Sequence, residues 1–473
     1  MTSPSENTGW LRPALILVAV VTGLRWILLA FDQTDLFVDE TQYWLWGQEF
    51  AFGYYSKPPL IAWLIGAVTW AAGSDAPFWV RMPGAALHGA TALILAALAA
   101  RMYSARVAVW VAASYVTLPM VGLGSLLIST DTVLAPFFAA ALYFHRRLIK
   151  TQAARFALLA GVAVGIGALA KYAAVYFLLG VAISALIRRD LRISARNAAL
   201  MGLGFMAVIA PNLIWNLSNQ MSTLAHTADN IGWVRQDHLL GGLNPVHLVS
   251  FLAAQAGVFG PVLLIGLLAG LRKPGAGHLA GFVLPVLVIV SLQALLKDAY
   301  ANWAATAYFA GTVMAVAALP LLWRKISLAI NAALCVLLPV LTLLPGLSLD
   351  GEIPLIHRYL GRAAFSEQVI AQAKAAGGVP VVAERRDILA DLFYTGRDAG
   401  LAFYAIPPKG RALNHYQQRY PVPAGLTGQV LLVTEKPPAC AGQGAPLDTK
   451  GGAYLRHAYA GYLISAECLH GVE

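Results

Sequence analysis

Charge is the scarcest ingredient of this sequence. Only 12% of its 473 residues are Asp, Glu, Lys or Arg, against roughly a quarter in ordinary soluble domains, while 59% are hydrophobic and mean hydropathy is +0.66. That excludes a soluble globular enzyme. It also excludes disorder, because a chain this apolar buries more than its ordering entropy costs. Cysteine is scarce as well: Cys335, Cys440 and Cys468 follow no metal-ligand spacing, and an odd count cannot all pair within one chain. A bridge between Cys440 and Cys468 requires an oxidising, periplasmic C-terminal part. No His/Cys/Asp cluster has zinc-like spacing, no Gly-rich loop is built to cradle phosphates, and no Gly-x-Ser-x-Gly elbow occurs, so ATP hydrolysis and serine-hydrolase chemistry lose support. No cofactor or metal is expected. Residues 1 to 12 are polar and the apolar run after them is long enough to span a bilayer, so no cleavable signal peptide is expected.

What the chain does hold is apolar stretches near residues 13 to 31, 58 to 73, 78 to 100, 106 to 124, 131 to 145, 156 to 170, 172 to 187, 197 to 214, 247 to 271, 279 to 296, 302 to 322 and 326 to 347. The second is short and opens with Pro58-Pro59, so it is set along the membrane surface. Eleven spans remain, which put the N-terminus in the cytoplasm and the end of the chain in the periplasm. Every Arg-rich loop then faces inward: Arg12; Arg101 and Arg106; Arg146, Arg147, Lys150 and Arg155; Arg188, Arg189, Arg192 and Arg196; Arg272 and Lys273; Arg324 and Lys325. Outside remain Lys57, Arg81, Lys171, Arg235 and Lys297, in agreement with the positive-inside rule. Counting the short stretch as a span would invert every later loop. The net charge of +10 therefore reads as cytoplasmic loops rather than nucleic-acid binding. The expected fold is a mainly α, polytopic helical membrane protein of the bacterial inner membrane, with a long first outer loop over residues 32 to 77.

After Leu349 the composition changes. Charges, Gly/Pro turns and β-like runs at Val379 to Ala383 and Gln429 to Thr434 predict a small α/β periplasmic domain over residues 350 to 473, attached to a membrane domain of residues 1 to 349.

The first outer loop is the densest polar and aromatic region of the membrane half. Asp39 and Glu40 precede an amphipathic run, where carboxylates favour a helix N-terminus and also suit deprotonation of an acceptor at the membrane mouth. Trp44, Trp46, Tyr54 and Tyr55 fit an interfacial aromatic belt or stack on sugar rings. Asp131, in Ser129-Thr130-Asp131, is an N-cap or a second outer carboxylate on the same face. The outward cations Lys57, Arg81 and Lys171 run against the orientation bias and suit an anionic lipid head, for which phosphate is the natural group. Arg25, inside the first span, is expected to pair with a buried acid. His226 lies in a loop running to Trp233, and Asn302-Trp303 follows Lys297.

At these residues the chain resembles the GT-C polyprenyl-phosphate-dependent glycosyltransferases, specifically bacterial glycosyltransferase family 39 proteins related to protein O-mannosyltransferases and to the lipid A aminoarabinose transferase. The resemblance rests on Asp39-Glu40 with the Tyr-Trp run, Tyr54-Tyr55-Ser56-Lys57-Pro58-Pro59, Arg81, Ser129-Thr130-Asp131, Ala170-Lys171-Tyr172, Pro211-Asn212 through His226-Thr227, and Asn302-Trp303. It implies inverting transfer of a sugar from a polyprenyl phosphate to an envelope glycolipid, glycan or protein on the periplasmic face. By that resemblance Asp39 orients or deprotonates the acceptor, Glu40 and Asp131 support it, and Lys57 with Arg81 and Lys171 neutralises the donor phosphate. Tyr54, Tyr55, His226, Asn302 and Trp303 are implied substrate contacts. In the aminoarabinose transferases an acidic residue precedes the lysine and, with a histidine, binds a metal; here that position is Ser56. The competing reading is a lipid or polysaccharide transporter, which should show polar groups at mid-membrane and a repeated arrangement of broken helices. No internal repeat is present, and the polar groups gather at one face.

Overall fold

The computed structural model describes residues 9–230, 243–273, 276–349, 351–450 and 452–471. Arg235 and the segment through Trp233 lie outside the described residues. The chain opens with helix α1 (Leu11–Ala30), and the expected outer loop follows with α2 (Val38–Gly47) and α3 (Leu60–Ala72). The helical body continues through α4 (Pro77–Met102), α5 (Ala105–Val116), α6 (Pro119–Leu123), α7 (Thr130–Thr151), α8 (Ala154–Ala170), α9 (Val175–Ile187), α10 (Ala195–Ser218) and α11 (Ser222–Asn230). It ends with α12 (Pro245–Phe259), α13 (Pro261–Gly270), α14 (Gly277–Leu296), α15 (Ala305–Ala318) and α16 (Leu321–Leu343).

Among the described residues α1, α4, α10, α14 and α16 are each long and apolar enough to cross a bilayer, and the bent pair α12–α13 makes a sixth candidate. Helices α5, α9 and α15 are shorter than the sequence runs suggested, because those runs contain breaks. The stretch from 247 to 271, expected to be continuous, bends by 101°. Gly260 sits at φ +93 against the Asn331 side chain, a place no Cβ could occupy, and Pro261 begins the next helix. Helix α3, at 13 residues, is about 20 Å long by the 1.5 Å rise per residue, short of a hydrocarbon core of about 30 Å. It packs instead on α2, where Gly66 and Gly47 bring the two backbones together. Small residues also set the α8–α10 contact: a Cβ on Gly161 would strike the Met201 carbonyl, and one on Gly204 would lie 2.8 Å from the Leu158 carbonyl.

Arg25 does not pair with an acid. Its guanidinium donates to the Val116 carbonyl, and Cys335 donates to the Thr117 carbonyl at 3.2 Å beside it, so a break in the helical ladder at the end of α5 supplies the acceptors.

Beyond residue 350 a small sheet domain forms, with α17 (Arg362–Ala375), α18 (Arg386–Thr395) and α19 (His415–Arg419) around a five-stranded sheet. Its strands are β1 (Val381–Ala383), β2 (Phe403–Ala405), β3 (Gln429–Thr434), β4 (Ala445–Pro446) and β5 (Ala460–Ser465), in the order β2-β1-β3-β5-β4. β1 runs parallel to β2 and β3; β5 is antiparallel to β3 and β4. The expected β-like runs are thus interior strands, buried apart from Gln429 at the start of β3, which is why both read as largely apolar sequence. Cys440 and Cys468 form a disulfide in this domain.

The sheet domain does not stand apart. Val38 of α2 is part of its core with Phe365, Ile388 and Leu389. Asp35 accepts from the Arg362 amide at 2.8 Å and its own amide donates to the Tyr359 carbonyl at 2.9 Å. Trp44 meets Tyr394 edge to face at 5.0 Å, and both bind Asp75. The first outer loop is therefore the platform on which the C-terminal domain is docked.

Candidate active site

Two carboxylates side by side in sequence have opposite fates. Along a helix consecutive residues point about 100° apart, so Asp39 and Glu40 cannot face the same surroundings. Glu40 turns inward and is 2% exposed. It caps its own helix by accepting from the Phe37 amide at 2.9 Å, accepts from the Ile128 amide at 3.0 Å, and holds Arg81 through Nε and Nη2 at 3.0 and 2.8 Å. Arg81, 1% exposed, spends its remaining donors on Thr34 Oγ1 at 2.8 Å and the Asp35 carbonyl at 2.7 Å. Neither side chain is open to a substrate. Glu40, expected to support Asp39, and Arg81, expected to meet the donor phosphate, are paired with each other: buried charge needs full pairing, and here the pair ties α2, α4 and the segment before α7 into one scaffold.

Asp39 turns outward. Its carboxylate, 47% exposed, pairs with Arg386 at 2.5 Å, and Arg386 also donates to Gln42 at 2.9 Å. Arg386 comes from the first turn of α18, 347 residues away in sequence.

Asp131 gathers the second group. Ser129, not Asp131, caps α7, its hydroxyl accepting from the Thr132 amide, and this leaves the aspartate free for other work. Lys171 bonds both its oxygens at 2.8 Å, and Asn302 donates to one of them at 2.8 Å. Lys171 is available because α8 stops at Ala170 and the lysine is extended, φ −157 and ψ 131, before the chain turns into α9. Asn302 reaches in from a single 3-10 turn, Ala301–Ala304. Trp303, on the same turn, is half-buried and packs edge to face with Tyr300.

Lys57 lies between the two groups. It is half-buried and within electrostatic reach of Asp39, Lys171, Arg386 and Asp131, yet among the described residues its ammonium makes no ion pair within 4 Å. Burial pushes its pKa below the lysine range, with Lys171 and Arg386 adding to the depression and Asp39 and Asp131 opposing it. A cation held in place without a direct partner is the feature an arriving phosphate needs.

The aromatic candidates form walls rather than stacking platforms. Tyr54 is 6% exposed, stacked on Trp46 at 5.1 Å, with its hydroxyl on the Glu49 carbonyl. Tyr55 is 7% exposed, bonded to the Ala412 carbonyl at 2.9 Å, with its ring 5.1 Å from that of His226. Both rings, expected as substrate contacts, are buried against their neighbours. His226, on α11, sets its ring against that of Tyr55. Ser56 accepts from Gln42 at 3.4 Å, and Tyr172 bonds Asn212, which in turn donates to the Phe52 carbonyl at 2.6 Å, so the Tyr-Tyr-Ser-Lys segment is clamped from both sides.

Sequence reasoning missed Arg386, Gln42 and the fully buried Tyr43, whose phenol is pushed above its usual pKa by burial, with Asp39 adding to the shift. A signal for Arg386 was present. Arg385 and Arg386 open a helix, where the macrodipole disfavours cations, so their presence there calls for a counter-charge.

Residues 56–215 match the family described as dolichyl-phosphate-mannose-protein mannosyltransferase. Over 475 aligned residues, 97% of this chain and 99% of the relative, the sequence is 39% identical to the lipid A galacturonosyltransferase RgtD of Rhizobium johnstonii. The chain belongs to the GT-C polyprenyl-phosphate-dependent glycosyltransferases. As a GT-C glycosyltransferase it shares the fold of ArnT from Cupriavidus metallidurans in its undecaprenyl-phosphate-bound structure, with a TM-score of 0.70 at 14% identity, covering 98% of this chain and 99% of that one. The archaeal oligosaccharyltransferase AglB from Archaeoglobus fulgidus is more distant, with a TM-score of 0.51 at 11% identity over 85% of this chain and 65% of that one. The glycosyltransferase is a multi-pass bacterial membrane protein, and membership of this family decides against the transporter reading. Within the GT-C frame its conspicuous feature is the outward set Asp39, Lys57, Asp131, Lys171, Asn302 and Arg386, brought to one place by five separate regions of chain.

Proposed function

We propose that the enzyme transfers a galacturonosyl residue from a polyprenyl phosphate to a lipid A-type glycolipid at the periplasmic mouth of the helical body. The observation that carries the reading is the 39% identity to a lipid A galacturonosyltransferase along nearly the whole of both chains. In this reading residues 1 to 349 are the catalytic membrane domain, and the domain of residues 350 to 473 completes the site from the periplasmic side. The N-terminus is cytoplasmic, as the distribution of Arg and Lys among the loops requires.

The chemistry follows from the residues. The donor carries an activated anomeric carbon, so no nucleotide is needed outside the cell. Lys57 receives the phosphate. Asp39 takes the proton of the acceptor hydroxyl as its oxygen attacks the anomeric carbon from the face opposite the phosphate. The carbon–oxygen bond to phosphate breaks, its electron pair leaves with the polyprenyl phosphate, and the configuration inverts. The ammonium of Lys57 stabilises the charge that develops on the leaving group. Asp131, held by Lys171 and Asn302, fixes the geometry of the phosphate side, and Glu40 with Arg81 keeps α2 in register beneath Asp39.

The test is purified protein in lipid nanodiscs with a panel of polyprenyl-phosphate sugars and extracted envelope lipids, read by mass spectrometry. Free polyprenyl phosphate and a galacturonosylated glycolipid, both lost in Asp39→Asn, are the expected outcome. Transfer of a different sugar, or to protein alone, overturns the assignment of donor or acceptor.

A further inference from the structure

We infer that Arg386, supplied by the C-terminal domain, recognises the C6 carboxylate of the donor sugar and thereby sets the enzyme's preference for a uronic acid, releasing Asp39 as it does so. This rests on the galacturonosyl reading above and goes further by naming the residue that reads the sugar.

A donor of this class carries two anions, the phosphodiester and the uronate carboxylate, and the site must hold both. The outward cations differ in how free they are. Lys171 is committed to both oxygens of Asp131. Arg385 grips Asp387 through two bonds, at 3.0 and 2.6 Å, and also meets His457. Lys57 makes no ion pair among the described residues but is a single ammonium suited to the phosphate. Arg386 is different. Its Nε is placed by Gln42 and its Nη2 by Asp39, while its Nη1 has no hydrogen-bond partner among the described residues. Its side chain is 38% exposed, and a cavity of about 340 Å³ lined by Phe37, Val38, Asp39, Arg385, Arg386 and Asp387 opens beside it. A guanidinium that lines a cavity, with Nη1 unbonded among the described residues and Nη2 on an exchangeable carboxylate, suits bidentate capture of a carboxylate.

The existing partner already shows the mode of binding: Asp39 occupies Arg386 with a carboxylate. A uronate that takes over those donors substitutes one carboxylate for another, so the guanidinium remains paired and Asp39 becomes free to act on the acceptor. A neutral hexose offers a CH2OH group at the same carbon and cannot make this exchange. The enzyme would thus be activated by the substrate it is meant to use.

The experiment compares polyprenyl-phosphate galacturonate with polyprenyl-phosphate galactose, which differ only at C6, in the full-length wild-type enzyme and in Arg386→Gln and Arg386→Lys. The readout is the ratio of kcat/KM for the two donors, with donor affinity measured separately on the unreacted complex. Wild type is expected to prefer the uronate by about 100-fold, the order of a hydrogen bond to a charged group that the neutral sugar cannot make. In Arg386→Gln the ratio should collapse to within a few-fold, with Arg386→Lys intermediate because it keeps the charge without the fork. A wild-type preference that survives intact in Arg386→Gln, or an equal loss for both donors, overturns the inference while leaving the galacturonosyl assignment standing. Wild-type enzyme that uses the galactose donor and not the galacturonate overturns that assignment, and the inference with it.

Discussion

Asp39 and Glu40 are neighbours of like charge on one helix, and each binds an arginine, but the two pairs have little else in common. The Glu40–Arg81 pair is 2% and 1% exposed, saturated with hydrogen bonds, and made within the membrane half. The Asp39–Arg386 pair is 47% and 38% exposed, incompletely hydrogen-bonded, and made across domains. A buried pair is costly to break because removing one member strands the other in a low-dielectric setting, about 3–5 kcal/mol. A half-exposed pair contributes little to stability, about 0–1 kcal/mol, and can exchange partners. Burial separates structural charge from functional charge more sharply than residue type does.

The comparison can be broken most directly at the buried pair. Glu40→Ala should destabilise the protein by about 3–5 kcal/mol, seen as a large fall in thermal midpoint in detergent. A Glu40→Ala protein that unfolds normally but transfers no sugar would return Glu40 to the reacting groups. Asp39→Asn is the matched change on the other face. It should lower kcat by roughly 10²–10⁴-fold, the range of general base catalysis, with the thermal midpoint unchanged. Lys57→Gln should come next, lowering kcat/KM for the donor by roughly 10²-fold through loss of leaving-group stabilisation. The same residue sharpens the comparison through pH. Because burial holds the Lys57 pKa below the lysine range, the charge that binds phosphate is present at low pH and lost as pH rises through that lowered value. Donor KM should therefore climb on the alkaline side earlier than for an ordinary lysine, and Lys57→Arg, which stays charged, should remove that limb. The smallest effect is on stability at Arg386: Arg386→Gln should change the unfolding free energy by less than about 1 kcal/mol, and a larger fall would show that this pair is structural after all.

Much of the site was legible in the chain. Lys57 before Pro-Pro, Asp131 after a capping serine and Lys171 between two apolar runs all stood out because polar residues at a membrane boundary are few and expensive. The structure brings those three and Asn302 together with Asp39. Arg81 stood out for the same reason and proved to be buried support, since a sequence shows that a charge is present but not which way its helix face turns. Tyr54 and Tyr55 looked like sugar platforms because aromatic rings serve both uses, and only their contacts with Glu49, Trp46 and Ala412 separate them. The break at Gly260 was passed over because an apolar run gives no hint of a bend until the backbone of a single glycine is known.

By itself the sequence determined that the chain is a helical membrane protein, that its reactive polarity lies at one face, and that a sheet domain follows after residue 350. These are properties of composition and local periodicity, which act over a few residues and are readable in order. Only the tertiary structure decided which carboxylate is buried and which is half-exposed, and that an arginine 347 residues from Asp39 pairs with it. Burial and ion pairing depend on which distant surfaces meet, and helix direction turns adjacent side chains to different surroundings, so neither can be read from the neighbours in the chain.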